Sequence, residues 1–196
     1  MDQRQTRGGS PLVGAPLPTT KQPVLKRTLF PTDFGWFALC GFGRTVTSLA
    51  IGHLSETAAR NSTAADNKTA GTPIETDWFP DLRRRLEQYA AGAETDFADC
   101  NLDLDGCTPF QRRVLTATRE IGYGMTVTYA QLARKVGAPR AARAVGNVMA
   151  RNPMPILIPC HRVTATGGGW GGYSAPQGVT LKRRLLAMES VACIPE

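Results

Sequence analysis

Two matching helix-start signals stand in the second half of the chain. Thr108-Pro109-Phe110-Gln111 and Thr128-Tyr129-Ala130-Gln131 each place a capping Thr three residues before a Gln. In this arrangement the two side chains satisfy backbone N–H groups that the first turn of a helix leaves free. Gly122 and Gly137 follow, and glycine commonly ends a helix. The pattern predicts one helix from Thr108 to Gly122 and a shorter one from Thr128 through Val136.

A third helix is predicted from about Pro139 to Arg151, because Asn152-Pro153 disfavours its continuation. Together with the short helix before it and the tight turn Gly137-Ala138-Pro139, it predicts a helix-turn-helix. Small residues such as Gly146 would let this helix pack closely against a neighbouring helix or approach a nucleic-acid groove. The groove is favoured by the arginines that the helix carries, which are Arg140, Arg143 and Arg151.

The first half predicts a different kind of structure. Residues 1–27 contain several prolines and glycines without apolar periodicity, which is typical of a disordered tail. Residues 35–51 contain two β-rich runs around a glycine-containing turn, which predicts a hairpin or small sheet. Asn61 to Thr72 is small and polar, which predicts a loop. A helix should then begin at Asp77 or Pro80 and end at Gly92.

The predicted fold class is therefore α+β. A small N-terminal α/β domain with a short β-sheet is expected over residues 28–95. A mainly helical C-terminal domain that contains the helix-turn-helix is expected over residues 96–196. Leu102 and Leu104 lie in a short extended segment that could return to the sheet. The first half shows no arrangement of residues that resembles a catalytic site.

The positive charge is confined to the second half. Residues 1–100 hold 11 Lys and Arg against 11 Asp and Glu, so the whole net charge of +7 comes from residues 101–196. Ten of the twelve basic residues there are arginines, whose planar donor groups suit phosphates and base edges. A basic half joined to a neutral half points to an anionic polymer as partner.

Composition argues against several other classes of protein. No apolar run reaches the roughly 18 residues of a membrane span, and the start does not resemble a signal peptide. The five cysteines are an odd number and widely spaced, which predicts free thiols in a reducing compartment, cytoplasmic or, in a eukaryote, nuclear. With only two histidines and no CxxC pair, neither a metal site nor a cofactor is expected.

The most informative segment is Met154-Pro155-Ile156-Leu157-Ile158-Pro159-Cys160-His161-Arg162-Val163. Its apolar run predicts burial, and Pro159 fixes the backbone just before the thiol. Positive neighbours would favour the thiolate of Cys160 and make it a nucleophile. Adjacent residues of a helical turn point about 100° apart, so His161 is expected to reach the sulfur through a bridging water. From the residues alone, a buried structural cysteine beside a satisfied histidine remains an open alternative.

Pro159-Cys160-His161-Arg162-Val163 resembles the active-site signature of the methylated-DNA–protein-cysteine methyltransferases, also called 6-O-alkylguanine-DNA alkyltransferases. The resemblance covers residues 97–190 in order and spacing. Its other segments are Thr128-Tyr129, Arg143-Ala144-Val145-Gly146, Asn152-Pro153, Gly172-Tyr173-Ser174 and the stretch from Lys182 to Glu189. The β-rich segment from Phe30 to Ile51 is similar to the family's more variable N-terminal domain.

The resemblance implies a single-turnover repair reaction. Cys160 would take the alkyl group from the 6-oxygen of guanine in double-stranded DNA, with 4-O-methylthymine as a further candidate substrate, and would not be regenerated. His161 and Glu189 would complete a Cys–water–His–Glu proton relay, and Asn152 would brace the turn. Tyr129 would donate a hydrogen bond to the base. No cofactor or membrane would be involved, and the protein would act as a monomer.

The resemblance also implies how the base is reached. Arg143 would enter the duplex and replace the flipped base. Tyr173 and Met149 would line the base pocket, while the backbone of Val163 and Ser174 would read the guanine edge. Arg140 and Arg151 are the further candidates for contact with DNA. Trp170 and Ala175-Pro176 depart from the family pattern and could change the width of the pocket.

Two other classes of protein remain. A helix-turn-helix protein that only binds DNA would explain the arginines but not Pro159-Cys160-His161-Arg162. A cysteine hydrolase would explain a Cys, His and Glu set but not the basic helix.

Overall fold

Three antiparallel strands form the centre of the N-terminal part of the computed structural model, which describes residues 23–64 and 72–189. The strands are β1 (Lys26–Thr32), β2 (Gly35–Phe42), β3 (Thr45–His53), β4 (Ile74–Glu75), β5 (Asn101–Leu102), β6 (Val127–Thr128) and β7 (Val163–Thr164). The helices are α1 (Glu56–Ala64), α2 (Pro80–Ala90), α3 (Pro109–Arg119), α4 (Tyr129–Lys135), α5 (Ala142–Met149) and α6 (Gly178–Met188). A 3₁₀ turn covers Cys160–Arg162.

The first five strands make one sheet in the order β4-β1-β2-β3-β5. Leu29 pairs with Ala38 between β1 and β2, and Leu39 pairs with Leu49 between β2 and β3. Helices α1 and α2 cover the sheet, and Leu82 and Leu86 of α2 are fully buried in the core. The predicted hairpin, the helix ending near Gly92 and the extended segment at Leu102 are confirmed.

Two sequence-based expectations for the first half need correction. Strand β1 begins at Lys26, so the expected tail does not extend to residue 27; residues 1–22 lie outside the described part. The expected loop from Asn61 to Thr72 is helical up to Ala64, and residues 65–71 are not described. Helix α1 has little apolar periodicity, but the Ser55 side chain caps it and fully buried Ala59 packs it onto the sheet. Tertiary packing therefore supplies what the sequence pattern lacks.

The C-terminal part is mainly helical, as predicted. Both capping boxes form: the Thr108 N–H donates to Gln111 Oε1 over 2.8 Å, and the Thr128 N–H donates to Gln131 Oε1 over 2.6 Å. Helices α4 and α5 pack together and are joined by a turn in which Gly137 has φ +74°. This left-handed conformation favours glycine directly after a helix. None of the described helices is long and apolar enough to cross a membrane.

The third predicted helix is shorter than expected. Helix α5 covers only Ala142–Met149, because the Ala141 N–H bonds to the Ala138 carbonyl in a turn of its own. Arg140 therefore lies in the turn before the helix, and Arg151 lies beyond its end. Arg143 remains in the first turn of α5, where its side chain is exposed.

Direct contacts join the two parts of the chain. The Leu49 N–H donates to the Pro153 carbonyl over 2.8 Å, and β5 extends the sheet beside β3. Gln177, which precedes α6, donates to the carbonyls of Phe34 and Gly52, each over 2.9 Å. These contacts place the segment around Cys160 against the sheet.

Candidate active site

The loop before Cys160 is held by one asparagine side chain. Asn152 Nδ2 donates to the Ile158 carbonyl over 2.8 Å, while Asn152 Oδ1 accepts from the Met154 N–H over 3.1 Å. Between these two points Ile156 has φ +72°, which is unfavourable for a β-branched residue. A residue persists in such a conformation only where its surroundings enforce it. The Asn152 bonds and the burial of Met154 and Ile158 supply that enforcement, so the loop presents Cys160 in one fixed position.

The Cys160 thiol is almost completely buried, with a residue exposure of 4%. Burial raises the pKa of Cys160, although hydrogen bonding from Asn152 and the nearby Lys182 charge oppose the rise. The expectation that positive neighbours would make Cys160 a thiolate is therefore wrong, because desolvation outweighs them. A protonated thiol needs a base before it can attack.

The charge of Arg162 is not available to Cys160 because it is engaged elsewhere. Its Nε and Nη2 donate to the two oxygens of the Glu189 carboxylate over 2.9 and 2.8 Å, and Nη1 donates to the Ile121 carbonyl over 2.6 Å. This two-pronged contact fixes the orientation of the carboxylate.

Glu189 is the centre of a buried hydrogen-bond network. Its Oε1 lies 3.0 Å from His161 Nε2 and accepts a hydrogen bond from the Tyr89 hydroxyl over 2.5 Å. Burial alone would raise the pKa of Glu189, but hydrogen bonds from His161 and Arg162 overcome this and lower it to about 2. The residue is therefore ionised at neutral pH and can hold His161 in a single orientation.

His161 is neutral at neutral pH because burial lowers its pKa, despite the opposing effect of Glu189. Nε2 faces Glu189, whereas Nδ1 is buried and makes no hydrogen bond to a described residue. No hydrogen bond joins His161 to Cys160 within the described part of the chain. A neutral imidazole whose second nitrogen is not engaged by protein can accept a proton there.

A cavity of about 650 Å³, here called the α5-side cavity, opens onto the thiol. Its lining includes the predicted site residues Tyr129, Arg143, Met149, Cys160, Tyr173 and Ser174. The Tyr129 ring is half-buried between two glycines: a Cβ on Gly171 would come within 2.7 Å of its hydroxyl, and one on Gly146 within 3.9 Å of its ring. Gly171 therefore has to be small beside the Tyr129 hydroxyl, whereas a Cβ at Gly146 would make only an ordinary contact with the ring.

The predicted residues Val163, Arg140 and Arg151 are not among the residues that line this cavity. Val163 is buried; its N–H donates to the Cys160 carbonyl and its own carbonyl accepts from Lys182 Nζ over 2.5 Å. Arg140 and Arg151 are exposed and do not line the cavity. Among the described residues, no group of three His, Cys, Asp or Glu side chains is placed to hold a metal ion.

Two residues without a predicted role, Tyr89 and Lys182, lie at the centre of the site. Tyr89 of α2, in the N-terminal part, is fully buried, and its hydroxyl has the hydrogen-bond partner that a buried tyrosine usually requires. Lys182 of α6 is fully buried, and its Nζ lies 5.8 Å from the centre of the Tyr129 ring. Burial lowers the pKa of Lys182 to about 8.

Comparisons with known proteins agree on one family. A family model described as "6-O-methylguanine DNA methyltransferase, DNA binding domain" matches residues 109–191. A methylated-DNA–protein-cysteine methyltransferase of Methanothermobacter thermautotrophicus is 43% identical over 107 residues, which are 55% of this chain and 58% of that protein. One from Mycobacterium leprae is 37% identical over 159 residues, or 81% of this chain and 88% of that protein.

A solved structure is similar over most of the chain. The crystal structure of a Mycobacterium tuberculosis OGT in complex with DNA has a TM-score of 0.69 and 34% sequence identity. The match covers 84% of this chain and 92% of that chain. The likeness therefore includes the N-terminal sheet as well as the part that contains Cys160.

Proposed function

The chain belongs to the methylated-DNA–protein-cysteine methyltransferase family, and on that premise we propose that Cys160 removes alkyl groups from the 6-oxygen of guanine in double-stranded DNA. The observation that carries the proposal is the position of the Cys160 thiol. Cys160 is among the residues that line the α5-side cavity, and the next residue, His161, forms a fully buried pair with Glu189. The thiol thus has both space for a nucleobase and a candidate proton acceptor in its neighbourhood.

Activation of the thiol follows from the protonation states in the site. Burial keeps Cys160 protonated, so its proton must leave as the sulfur attacks. Neutral His161 would receive this proton at Nδ1 through a water molecule, and the Glu189 carboxylate at Nε2 would stabilise the histidinium that forms. This is general-base catalysis by a histidine that a carboxylate orients.

The transfer itself breaks one bond and forms another. The carbon–oxygen bond of the alkylated guanine breaks as the Sγ–carbon bond forms, and the electron pair remains on the base. The hydroxyl of Tyr129, a residue that lines the cavity, would stabilise this negative charge until guanine takes up a proton. The buried Lys182 ammonium, 5.8 Å from the centre of the Tyr129 ring, would add positive charge nearby. The thiol loses one proton and guanine gains one, so the reaction balances.

Access to the base requires that it leaves the duplex, because a stacked base cannot reach a buried thiol. Arg143 lines the mouth of the α5-side cavity from the first turn of α5. We assign it the role of replacing the extruded base within the stack. Helices α4 and α5 would approach the DNA as a helix-turn-helix, with Arg140 and Arg151 near phosphates at either end of α5.

The product is a thioether, and none of the described side chains is placed to cleave it. Each molecule would therefore react once. The test is mass spectrometry of the protein after incubation with a duplex that contains 6-O-methylguanine. We expect one added methyl group on the peptide that contains Cys160 and none after the Cys160→Ser substitution.

The matched controls are Cys100→Ser and Cys107→Ser, which replace other free thiols outside the cavity and should leave methylation intact. Methylation of another cysteine, or many turnovers per molecule, would contradict the proposal. Tight DNA binding without methylation would indicate a protein that only recognises DNA.

A further inference from the structure

The exposed face of helix α5 carries few side chains that could read a DNA sequence. Of residues 142–149, those that are exposed are Arg143, Ala144 and Asn147. Arg143 and Asn147 also line the α5-side cavity. Arg143 is assigned the space of the extruded base, and alanine offers neither a hydrogen-bond donor nor an acceptor. Asn147 is therefore the remaining side chain of this face that can recognise the base pairs that stay stacked.

The amide group of Asn147 is available for such a contact, because it makes no hydrogen bond to any described residue. Asn152, the other asparagine near the site, uses both ends of its amide within the protein, on the Ile158 carbonyl and the Met154 N–H. An exposed amide offers donors and an acceptor side by side, which suits it to hydrogen bonding with base edges.

Helical geometry places Asn147 beside the space that Arg143 would fill. Four residues along an α-helix correspond to a rise of about 6 Å and a rotation of about 40°, so the two side chains share one face. Stacked base pairs are about 3.4 Å apart along DNA. With Arg143 in the vacated position, the Asn147 amide would reach a base pair one or two steps to one side of it.

The groove that faces α5 follows from the role of Arg143. Side chains that enter a base stack commonly do so from the minor groove. This groove is about 6 Å wide, so a helix can approach its floor only where the exposed side chains are small. Ala144 on the exposed face of α5 and Ala150 directly after the helix meet that requirement. The Asn147 amide would thus meet the minor-groove edges of the neighbouring base pairs.

We propose that Asn147 reads the minor-groove edge of a base pair beside the lesion, and that repair is faster where this pair contains guanine. The inference rests on the proposed function and adds a preference for neighbouring sequence to it. In the minor groove G·C presents the guanine 2-amino donor, whereas A·T presents acceptors alone. Asn147 Oδ1 can accept from the 2-amino group while Nδ2 donates to N3 of the same guanine. At A·T, Oδ1 would lose its water without gaining a donor, which costs free energy.

The experiment measures the second-order rate constant of methyl transfer on duplexes that differ only beside the lesion. The two base pairs on one flank are G·C, 2,6-diaminopurine·T, A·T or hypoxanthine·C, in both strand orientations, and a second set varies the other flank. The first two kinds of pair carry the 2-amino group, and the last two lack it. We expect rate constants roughly 5-fold or more higher with this group, on one flank only, which is the low end of discrimination by a bidentate base contact.

This set of base pairs separates a minor-groove contact from two other effects. The 2-amino group adds a hydrogen bond to the base pair, so the strength of pairing alone would make the duplex harder to open and repair slower. G·C and hypoxanthine·C present the same groups in the major groove, as do A·T and 2,6-diaminopurine·T. A major-groove contact would therefore give equal rate constants within each of these two comparisons.

The Asn147→Ala substitution should abolish the difference between base pairs with and without the 2-amino group. It lies on an exposed helical surface, where alanine favours the helix. Asn147→Leu, which keeps a similar side-chain volume without a donor or acceptor, should abolish the difference as well. The matched control is Asn61→Ala, because Asn61 is an exposed asparagine of α1 that does not line the α5-side cavity. This control should preserve the difference.

Equal rate constants on all base pairs in the parent protein, or a difference that survives both substitutions of Asn147, would overturn the proposal. So would an equal dependence on both flanks, which would indicate an effect of stacking. If Asn147→Ala transfers methyl from no duplex, the Asn147→Leu measurement decides. Failure of the parent protein to transfer methyl from any duplex would instead refute the proposed function, so the two failures are distinguishable.

Discussion

At the scale of single residues, the hydrogen bonds of Glu189 strongly affect the protonation states of the site. The carboxylate accepts hydrogen bonds from Tyr89, His161 and Arg162, so the positive charge of Arg162 is neutralised by Glu189. Cys160 is then left with burial as the main influence on its pKa. In this proposal the reactive Cys160 is protonated at rest, and His161 is the base that accepts its proton.

The Glu189→Gln substitution should slow alkyl transfer by roughly 10²- to 10⁴-fold, the usual contribution of assisted proton transfer. In the parent protein the acid limb of the rate should follow the His161 pKa, which burial places below 6.5. Glu189 raises the pKa of His161, so its loss should move this acid limb to still lower pH. Rate constants at saturating DNA between pH 5 and 8 provide the measurement.

The control for this substitution is Glu94→Gln, because Glu94 is an exposed carboxylate outside the network. The control should keep both the rate and the pH profile of the parent protein. A slow Glu189→Gln protein whose acid limb does not move would indicate damage to the fold through unpaired Arg162, and the proton relay would lose its support.

The sequence could predict the site residues that lie close together in the chain, and those that the family resemblance supplies. Cys160, His161 and Asn152 belong to one segment, and Glu189 was reached by resemblance. Tyr89 could not be predicted because its partner is 100 residues away and only packing of α2 against the C-terminal part brings them together. The pKa of Cys160 was misjudged for a related reason: the direction of the Arg162 side chain is not visible in the sequence.

At the scale of elements, short-range sequence signals such as capping boxes predict helix starts correctly. Both capping boxes start helices at the predicted residues, because a capping box is completed within four residues. Helix α1 was missed because the sheet, and not its own sequence pattern, supports it. Helix α5 is shorter than predicted because a separate turn, closed by the hydrogen bond from the Ala141 N–H to the Ala138 carbonyl, precedes it, although alanine favours a helix.

Arg143→Ala should separate extrusion of the base from chemistry. Because the side chain lies on the first turn of α5 at the rim of the α5-side cavity, the loss should affect the duplex reaction. We expect the rate on methylated duplex to fall roughly 5- to 150-fold, the effect typical of a base-contacting arginine. Reaction with free 6-O-methylguanine, which needs no extrusion, should be nearly normal.

Both rates are measured at saturating substrate, and Arg134→Ala on α4 is the control because Arg134 does not line the cavity. If more DNA restores the full rate of Arg143→Ala, the arginine only binds phosphate. Equal losses on duplex and free base would mean that Arg143 supports the pocket.

At the scale of the whole molecule, the excess positive charge lies in the C-terminal part and not in the N-terminal part. The net charge of +7 resides in residues 101–196, and the exposed arginines around α5 belong to that part. Arginines of the N-terminal part are largely paired, as Arg83 is with Asp77 and Glu87. DNA should therefore contact the C-terminal part, and its affinity should depend strongly on salt.

Arg140→Gln should weaken binding of the full-length protein to any duplex and reduce the slope of log affinity against log salt by about 1, as expected for one lost phosphate contact. Arg84→Gln is the matched control, because Arg84 is an exposed arginine on α2 paired with Asp81 over 2.7 Å. Titrations at several salt concentrations measure both slopes. An affinity indifferent to salt, or equal slopes for Arg140→Gln and the parent protein, would contradict this assignment.

The Tyr89–Glu189 hydrogen bond also bears on how such proteins can be recombined. A chimera that joins the C-terminal part of this chain to the sheet and helices of a relative would exchange the hydroxyl that reaches Glu189. Grafts should remain active only when the donor supplies a tyrosine at the same place on its second helix. Exchange of the N-terminal part should therefore preserve activity only if the tyrosine hydroxyl that bonds Glu189 is retained.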